Sequence, residues 1–434
     1  MTRPGIASAI EIAPPLGGSE VATPPLSLYV HVPFCVSVCP YCDFVVVAGA
    51  QARGPRNRIE AFVEALRHEI ELRADALDAR WGRPGDEPLP LSLARPPLET
   101  LYFGGGTPSL LQWQAIAGLI GLVRARFGLA EQAEVTLEAN PGPDERGNAA
   151  AFGAAGVTRI SFGAQALDDT ALRTLGRRHR TADVASAVVE ARAAGIASLN
   201  LDLLYDAPGQ STVAFAATLE AAIALEPDHL SLYALALDDP DAEGLTGQSG
   251  DHLPVSAGAR RWRATARAAQ DEDRAAAMYE HAVRRLAAAG FDGYEISNWA
   301  RPGHESRHNL AYWERRPHEA VGPGAHAFDG GNRRWNAARL DRYIDSLVPA
   351  DGSPGRLPPG GTEIVTPMVA AAEAAILGLR LRQGLPAEAA ASPPLAEHLP
   401  WARATGLVHE AADGRITLTT RGRLLSNELF ARLV

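Results

Sequence analysis

From position 28 to about 296, short apolar runs alternate with stretches in which apolar residues recur every three or four positions. Residues 28–33, 98–103, 134–138, 158–162, 197–205, 229–234 and 291–296 read as strands. Ile59, Phe62, Leu66 and Ile70 mark an amphipathic helix after the first strand, and another helix runs to about Phe127 after the second. Repeated strand–helix units predict an α/β chain with a parallel sheet, open or closed as a barrel.

The polar positions within these strands sharpen the picture. Alternation puts Thr136, Glu138 and Asn140 on one side of their strand, Ser161, Gly163 and Gln165 on one side of the next, and Ser198, Asn200 and Asp202 on one side of a third. Parallel sheets are normally covered and apolar on both faces. Three strands with a polar face therefore predict a wet, ligand-filled interior. The alternative is a sheet with one solvent-washed face, which fits poorly with the helices that parallel connections require.

Elsewhere the pattern weakens. A Pro-rich stretch over 81–97 reads as a surface insertion, 238–273 as a long, irregular, acidic insertion or lid, and 351–361 as a Gly/Pro linker. Beyond it come helical segments and a strand at 415–419 after the Asp413-Gly414 turn, a small α+β tail of winged-helix type. The expected organisation is a flexible leader over 1–26, a barrel over 27–299 and a smaller C-terminal domain over 300–434.

Composition excludes several classes. The 434-residue chain is 46% hydrophobic and 21% charged, as in ordinary globular proteins, and its net charge of −10 argues against wrapping nucleic acid. All 41 basic residues are arginine. A Walker-type phosphate loop, a pyridoxal Schiff base and a lysine aldolase each need a lysine, so all three are excluded. No apolar stretch reaches spanning length, and the first 26 residues lack the features of a signal peptide, so a cytoplasmic protein is expected.

The three cysteines, Cys35, Cys39 and Cys42, fall within eight positions. Three thiolates this close suit one inorganic centre but fall one short of the four that close a zinc or iron–sulfur site. Pro40 disfavours a helix there and favours a loop folded around the metal. Two completions are open: zinc with His31 as fourth ligand, or a 4Fe–4S cluster whose fourth iron takes an external chelator.

The CxxxCxxC run, with Tyr29-Val-His-Val-Pro-Phe before it and Tyr41 inside it, resembles the radical S-adenosylmethionine superfamily. That resemblance implies a partial (β/α)6 TIM-like barrel with a smaller C-terminal α+β domain, and a 4Fe–4S cluster whose open iron is chelated by S-adenosylmethionine. It implies that Gly105, Gly106 and Thr107 of the glycine run, together with Tyr29, Tyr41, Glu138, Gln165, Arg177 and Asp202, bind that cofactor. Asp206 departs from the family pattern, standing where glycine is expected.

Two features sort the chain within the coproporphyrinogen-dehydrogenase-like branch. The oxygen-independent coproporphyrinogen III oxidases of porphyrin biosynthesis carry a further cysteine two positions after the third, where this chain has Phe44. His308-Asn309-Leu-Ala-Tyr312-Trp313 is similar to the HNxxYW signature of the HemW subfamily of heme chaperones, and Gly322-Pro-Gly-Ala-His326 fits as well. The resemblance implies a heme-binding protein, with His308 as heme ligand, that passes heme to an acceptor such as a respiratory haemoprotein. A homodimer and transient membrane contact belong to the same expectation, and coproporphyrinogen dehydrogenase activity does not. Arg307, Arg315 and Arg316 stand near for the propionates. From the residues alone, His308-Asn309 reads as a capping or hydrogen-bonding pair that ties barrel to tail. The oxidase, or a radical enzyme acting on another substrate, is the alternative function.

Overall fold

The structure, a computed structural model, describes residues 23–48, 58–85, 95–237 and 256–434. Residues 1–22 of the leader expected over 1–26, and the first half of the expected insertion, 238–255, lie outside the described residues. In chain order come β1 (Ser27–Val32), α1 (Arg58–Trp81), β2 (Leu98–Gly105), α2 (Trp113–Phe127), β3 (Leu129–Ala139), α3 (Ala149–Ala155), β4 (Arg159–Gln165), α4 (Asp169–Thr174), α5 (Thr181–Ala193), β5 (Ser198–Tyr205), α6 (Thr212–Ala224) and β6 (His229–Ala234). β1 to β6 pair in parallel in chain order, the parallel sheet that the alternation predicts, in the partial (β/α)6 barrel that the family resemblance implies. The two-faced strands explain why the sheet curls around an interior. On β5, Leu199, Leu201 and Leu203 are fully buried, each worth roughly 1.5–3 kcal/mol. Asn200 and Asp202 face the other way, into the cavity.

After β6 follow α7 (Ala257–Ala268), α8 (Glu272–Ala288), β7 (Asp292–Gly293), β8 (Asn298–Ala300), α9 (Arg307–Trp313), β9 (His318–Val321), β10 (His326–Phe328), β11 (Asn332–Asn336), α10 (Leu340–Leu347) and β12 (Gly360–Ile364). The complete sheet has the order β12-β11-β10-β9-β1-β2-β3-β4-β5-β6-β8-β7. β9 joins β1 in parallel, so the segment after residue 300 extends the barrel's own sheet. A separate apolar cluster, including Leu379, Leu407, Ile416 and Phe430, forms between α11 (Pro367–Arg380) and the hairpin of β13 (Val408–Glu410) and β14 (Ile416–Leu418).

Two local expectations fail for physical reasons. The strand expected at 291–296 is replaced by the short β7 and β8, because the Glu295 carboxylate turns inward. It accepts hydrogen bonds from the Ser297 amide (2.9 Å) and the Asn298 side chain (2.5 Å), which bends the chain where a strand would run straight. The second half of the expected irregular insertion is helical. Ser256 caps α7 by accepting from the Ala259 amide at 3.1 Å, and Arg263 and Ala266 form a buried stripe that an arginine-rich sequence disguises.

One buried carboxylate ties the halves together. Glu69 of α1 is fully buried and accepts from Tyr343 Oη (2.7 Å), Asn336 Nδ2 (2.8 Å), the Gly322 amide (2.8 Å) and Arg73 (3.2 Å). Such a charge is tolerated in a core because every lone pair is used.

Candidate functional site

The cysteines sit on the loop that leaves β1, at the C-terminal end of the barrel. The loop is a turn rather than a helix, closed by the Cys42 amide donating to Cys39 O at 3.0 Å. Backbone bonds from Gly106 to Val32 O (2.8 Å) and from Thr107 to Phe34 O (2.7 Å) fix its start against the end of β2. The glycines are needed for this packing. A Cβ on Gly105, whose φ is +110°, would lie 2.5 Å from the His31 ring, and one on Gly106 would lie 2.6 Å from Phe34 O. The space left by the missing side chains is thus filled by the protein itself, and only the backbone face remains for a ligand.

A cavity of about 630 Å³ opens beside this loop. Cys35, Cys39, Cys42, Tyr29, Tyr41, Gly105, Gly106, Thr107, Glu138, Gln165, Arg177, Asp202 and His308 all line it. The polar strand faces therefore do converge on one interior. Arg177 donates to Cys39 Sγ at 3.3 Å and to Gly163 O at 2.8 Å, and it also bonds Asn140. Glu138 accepts from Tyr102 Oη (2.7 Å) and from the Gly105 amide (3.0 Å). Burial, with the nearby Asp202 charge adding to it, pushes the Glu138 carboxyl up to about 7. Asp202, also raised by burial, accepts from Ser161 Oγ (2.9 Å) and Asn200 (2.8 Å). Gln165 has φ +64° where the β4–β5 register shifts, a strained backbone that turns its side chain to the cavity.

Three clustered sulfur donors suit a thiophilic metal centre. Burial drives the Cys35 thiol up to about 12 and the Cys42 thiol up to about 11, so both stay protonated until a cation replaces the proton. The zinc completion meets an obstacle. His31 has both ring nitrogens engaged, Nδ1 with Tyr29 Oη (3.0 Å) and Nε2 with Val45 O (2.7 Å). Among the described residues, no three His, Cys, Asp or Glu side chains converge on a single metal ion.

Several residues that shape the site were not singled out from the sequence. Arg263 of α7 is buried and donates to Pro40 O (2.9 Å), Cys42 O (3.1 Å) and Asp43 (2.5 Å), clamping the cysteine loop. Trp262 donates to Thr174 O at 2.8 Å and packs on Tyr41 with ring centroids 6.1 Å apart. Their only sequence signal is the spacing within α7, hidden in a segment that reads as loop. Asp206, the departure from the family pattern, has φ +57°, which explains the expectation of glycine; Arg274 holds its carboxylate at 2.8 Å.

The opposite end of the barrel is closed by α9. Ser306 caps it by accepting from the Asn309 amide, and Glu134 at the start of the barrel accepts from the Arg307 (3.0 Å) and His308 (3.1 Å) amides. His308 points upward as the cavity floor, 2% exposed. Its Nδ1 meets Thr100 Oγ1 at 2.7 Å and its Nε2 meets Tyr312 Oη at 2.9 Å, while its ring stacks on Tyr102 at 5.0 Å. Burial lowers its pKa to about 3. The hydrogen-bonding role that the residues alone allowed is thus realised. The arginines expected for propionates are engaged: Arg307 with Gln132 O, Arg316 with Glu99 and Arg315 with Glu373. Phe44 stands 69% exposed at the cavity mouth.

Residues 90–222 match the family model described as the Radical SAM superfamily. The heme chaperone HemW of Mycobacterium tuberculosis (strain ATCC 25618 / H37Rv) is 39% identical over 94% of this chain and 95% of its own length. HemW of Bacillus subtilis (strain 168) is 30% identical over 93% and 98%. The structure of coproporphyrinogen III oxidase (HemN) from Escherichia coli superposes with a TM-score of 0.73 over 96% of this chain and 91% of that one, at 24% identity, which shows a shared fold. With near-complete alignment to curated relatives at 30–39% identity, this chain belongs to the HemW heme chaperone family of the radical S-adenosylmethionine superfamily.

Proposed function

We propose that the chain is a heme carrier: it holds a 4Fe–4S cluster and S-adenosylmethionine in the barrel cavity, binds heme, and hands it to acceptor haemoproteins, respiratory ones among them. One observation carries the reading. Three thiols and the residues assigned to the cofactor share one cavity, in a chain aligned over 94% of its length with a relative named for heme chaperoning.

Cys35, Cys39 and Cys42 would hold the cluster, with Arg177 and Arg263 fixing the loop around it. The backbone of Gly105, Gly106 and Thr107 and the Glu138 carboxylate suit the amino group of the cofactor's methionine. Asp202 and Gln165 suit its ribose and polar edges, and Tyr29 and Tyr41 offer ring surfaces. When bound, the cluster and S-adenosylmethionine together supply one-electron chemistry. We place the division between barrel and C-terminal part near residue 300, with α9 supplied by the second part as the floor of the first.

The test is a titration of anaerobically reconstituted protein with hemin, with and without S-adenosylmethionine, alongside an assay with coproporphyrinogen III, cofactor and reductant. Saturable hemin binding with no turnover supports the carrier. Formation of protoporphyrinogen IX supports the oxidase instead, and stoichiometric zinc with no iron removes the cluster.

A further inference from the structure

We propose that His326, not His308, is the side chain that ligates the iron of the heme cargo, with Trp335 as the flat wall beside it; this rests on the heme-binding reading above. An axial histidine needs one ring nitrogen fixed as a donor and the other free and reachable. His308 lacks the second, being 2% exposed with both nitrogens bonded. His318 is wedged against Tyr312 at 4.6 Å and Phe328 at 6.3 Å. His304 faces Asp228 at 3.9 Å.

His326 meets both requirements. It is exposed at the start of β10, and its Nδ1 lies 2.9 Å from Gly324 O, which fixes the tautomer with Nδ1–H donating. Nε2 then carries the free lone pair and has no hydrogen-bond partner among the described residues. This carbonyl–imidazole arrangement is the one that metal-ligating histidines adopt. The ring stacks on Trp335 at 5.8 Å and 23°, and Trp335 is 37% exposed. The indole lies over Gly361, where a Cβ would collide with the ring, so the glycine is what lets it lie flat on the sheet.

The place suits an apolar macrocycle near the cavity. His326 pairs with Trp335 and Trp335 with Gly361 across β10, β11 and β12. On the other side, the His318–Phe328 pairing puts Ala320 opposite His326, and Ala320 pairs with Tyr29, which lines the cavity. These residues share one sheet face, with the small Ala320 between the cavity wall and the His326–Trp335 shelf. Gly324 packs against Val45, whose neighbour Phe44 is 69% exposed, so the shelf adjoins the apolar rim of the cysteine loop.

The experiment uses the full chain, reconstituted with its cluster and titrated with hemin, reading affinity, Soret position and the ferric-heme EPR spectrum. His326→Ala is expected to weaken binding at least tenfold and to remove the imidazole-ligated signature; His326→Gly is expected to regain that signature with added imidazole. His308→Ala is expected to keep it. His68→Ala is the control, because His68 is also exposed with Nδ1 on a carbonyl (Leu347 O, 3.1 Å) but has no ring neighbour among the described residues. An unchanged affinity and spectrum in His326→Ala, or loss in His308→Ala alone, overturns the inference. Absence of hemin binding by the unmodified chain instead removes the heme-carrier reading itself, and the ligand assignment with it.

Discussion

Replacing Glu69 with glutamine tests whether the C-terminal strands are locked to the barrel by one carboxylate. Oε1 receives Arg73 and Asn336, and Oε2 receives Tyr343 and the Gly322 amide. Glutamine keeps one oxygen, so in either orientation its NH2 group confronts two buried donors. Each donor left without an acceptor costs about 1–3 kcal/mol, which gives a loss of about 2–6 kcal/mol. Against a total stability of about 5–15 kcal/mol this is large. The loss should appear as a lower urea midpoint with an unchanged slope, and hydrogen exchange should quicken first at the Gly322 amide and the β11 strand. The same turn seats Gly322 against His31 O, so the cysteine loop should loosen with it. A midpoint shift worth less than about 0.5 kcal/mol would refute the reasoning, since that is the scale of an inconsequential surface change.

Arg263→Met should leave the fold intact but speed iron release from the reconstituted protein several-fold and make the cluster's potential more negative, because the guanidinium on Pro40 O and Cys42 O is both clamp and positive charge; an unchanged release rate and potential would count against it. Burial raises Glu138 from an ordinary 4.5 to about 7, so between those values the folded chain holds a proton that the unfolded chain has lost. The Glu138 contribution therefore makes apo-protein stability fall as pH rises from about 4.5 to 7, and binding of a cationic amino group should strengthen over the upper part of that range. Glu138→Gln should flatten both dependences, readable by thermal melts and cofactor titrations. Asp206→Ala should be less stable than Asp206→Gly by about 1 kcal/mol in paired unfolding curves, since both lose the Arg274 partner but only alanine keeps the strain of φ +57°.

The barrel was legible because two-faced strands leave a period-two record: leucines outward and Asn200, Asp202, Ser161 and Glu138 inward. The cysteine loop was legible because three thiols in eight positions have few structural uses. What the sequence hid was long-range. Glu69 lies in a helix whose pattern marks a core face, and nothing local says that its partners are Tyr343 and Asn336, more than 260 positions away. Arg263 reads as one arginine in a basic run. His308 is expected as the heme ligand from the family resemblance, and only packing reveals that Thr100 and Tyr312 meet its two ring nitrogens. The turn at Glu295 reads as a strand in the sequence because a buried carboxylate satisfying its own backbone leaves no mark on periodicity.

The central claim is that Cys35, Cys39 and Cys42 hold a cluster with one iron left open to S-adenosylmethionine. Anaerobic reconstitution followed by iron analysis and EPR of the reduced protein, recorded before and after adding S-adenosylmethionine, tests it most directly. The account predicts four irons per chain and a spectrum that changes on adding the cofactor, with both lost when any of the three cysteines becomes alanine. Stoichiometric zinc, or a cluster signal that S-adenosylmethionine leaves unmoved, would contradict it.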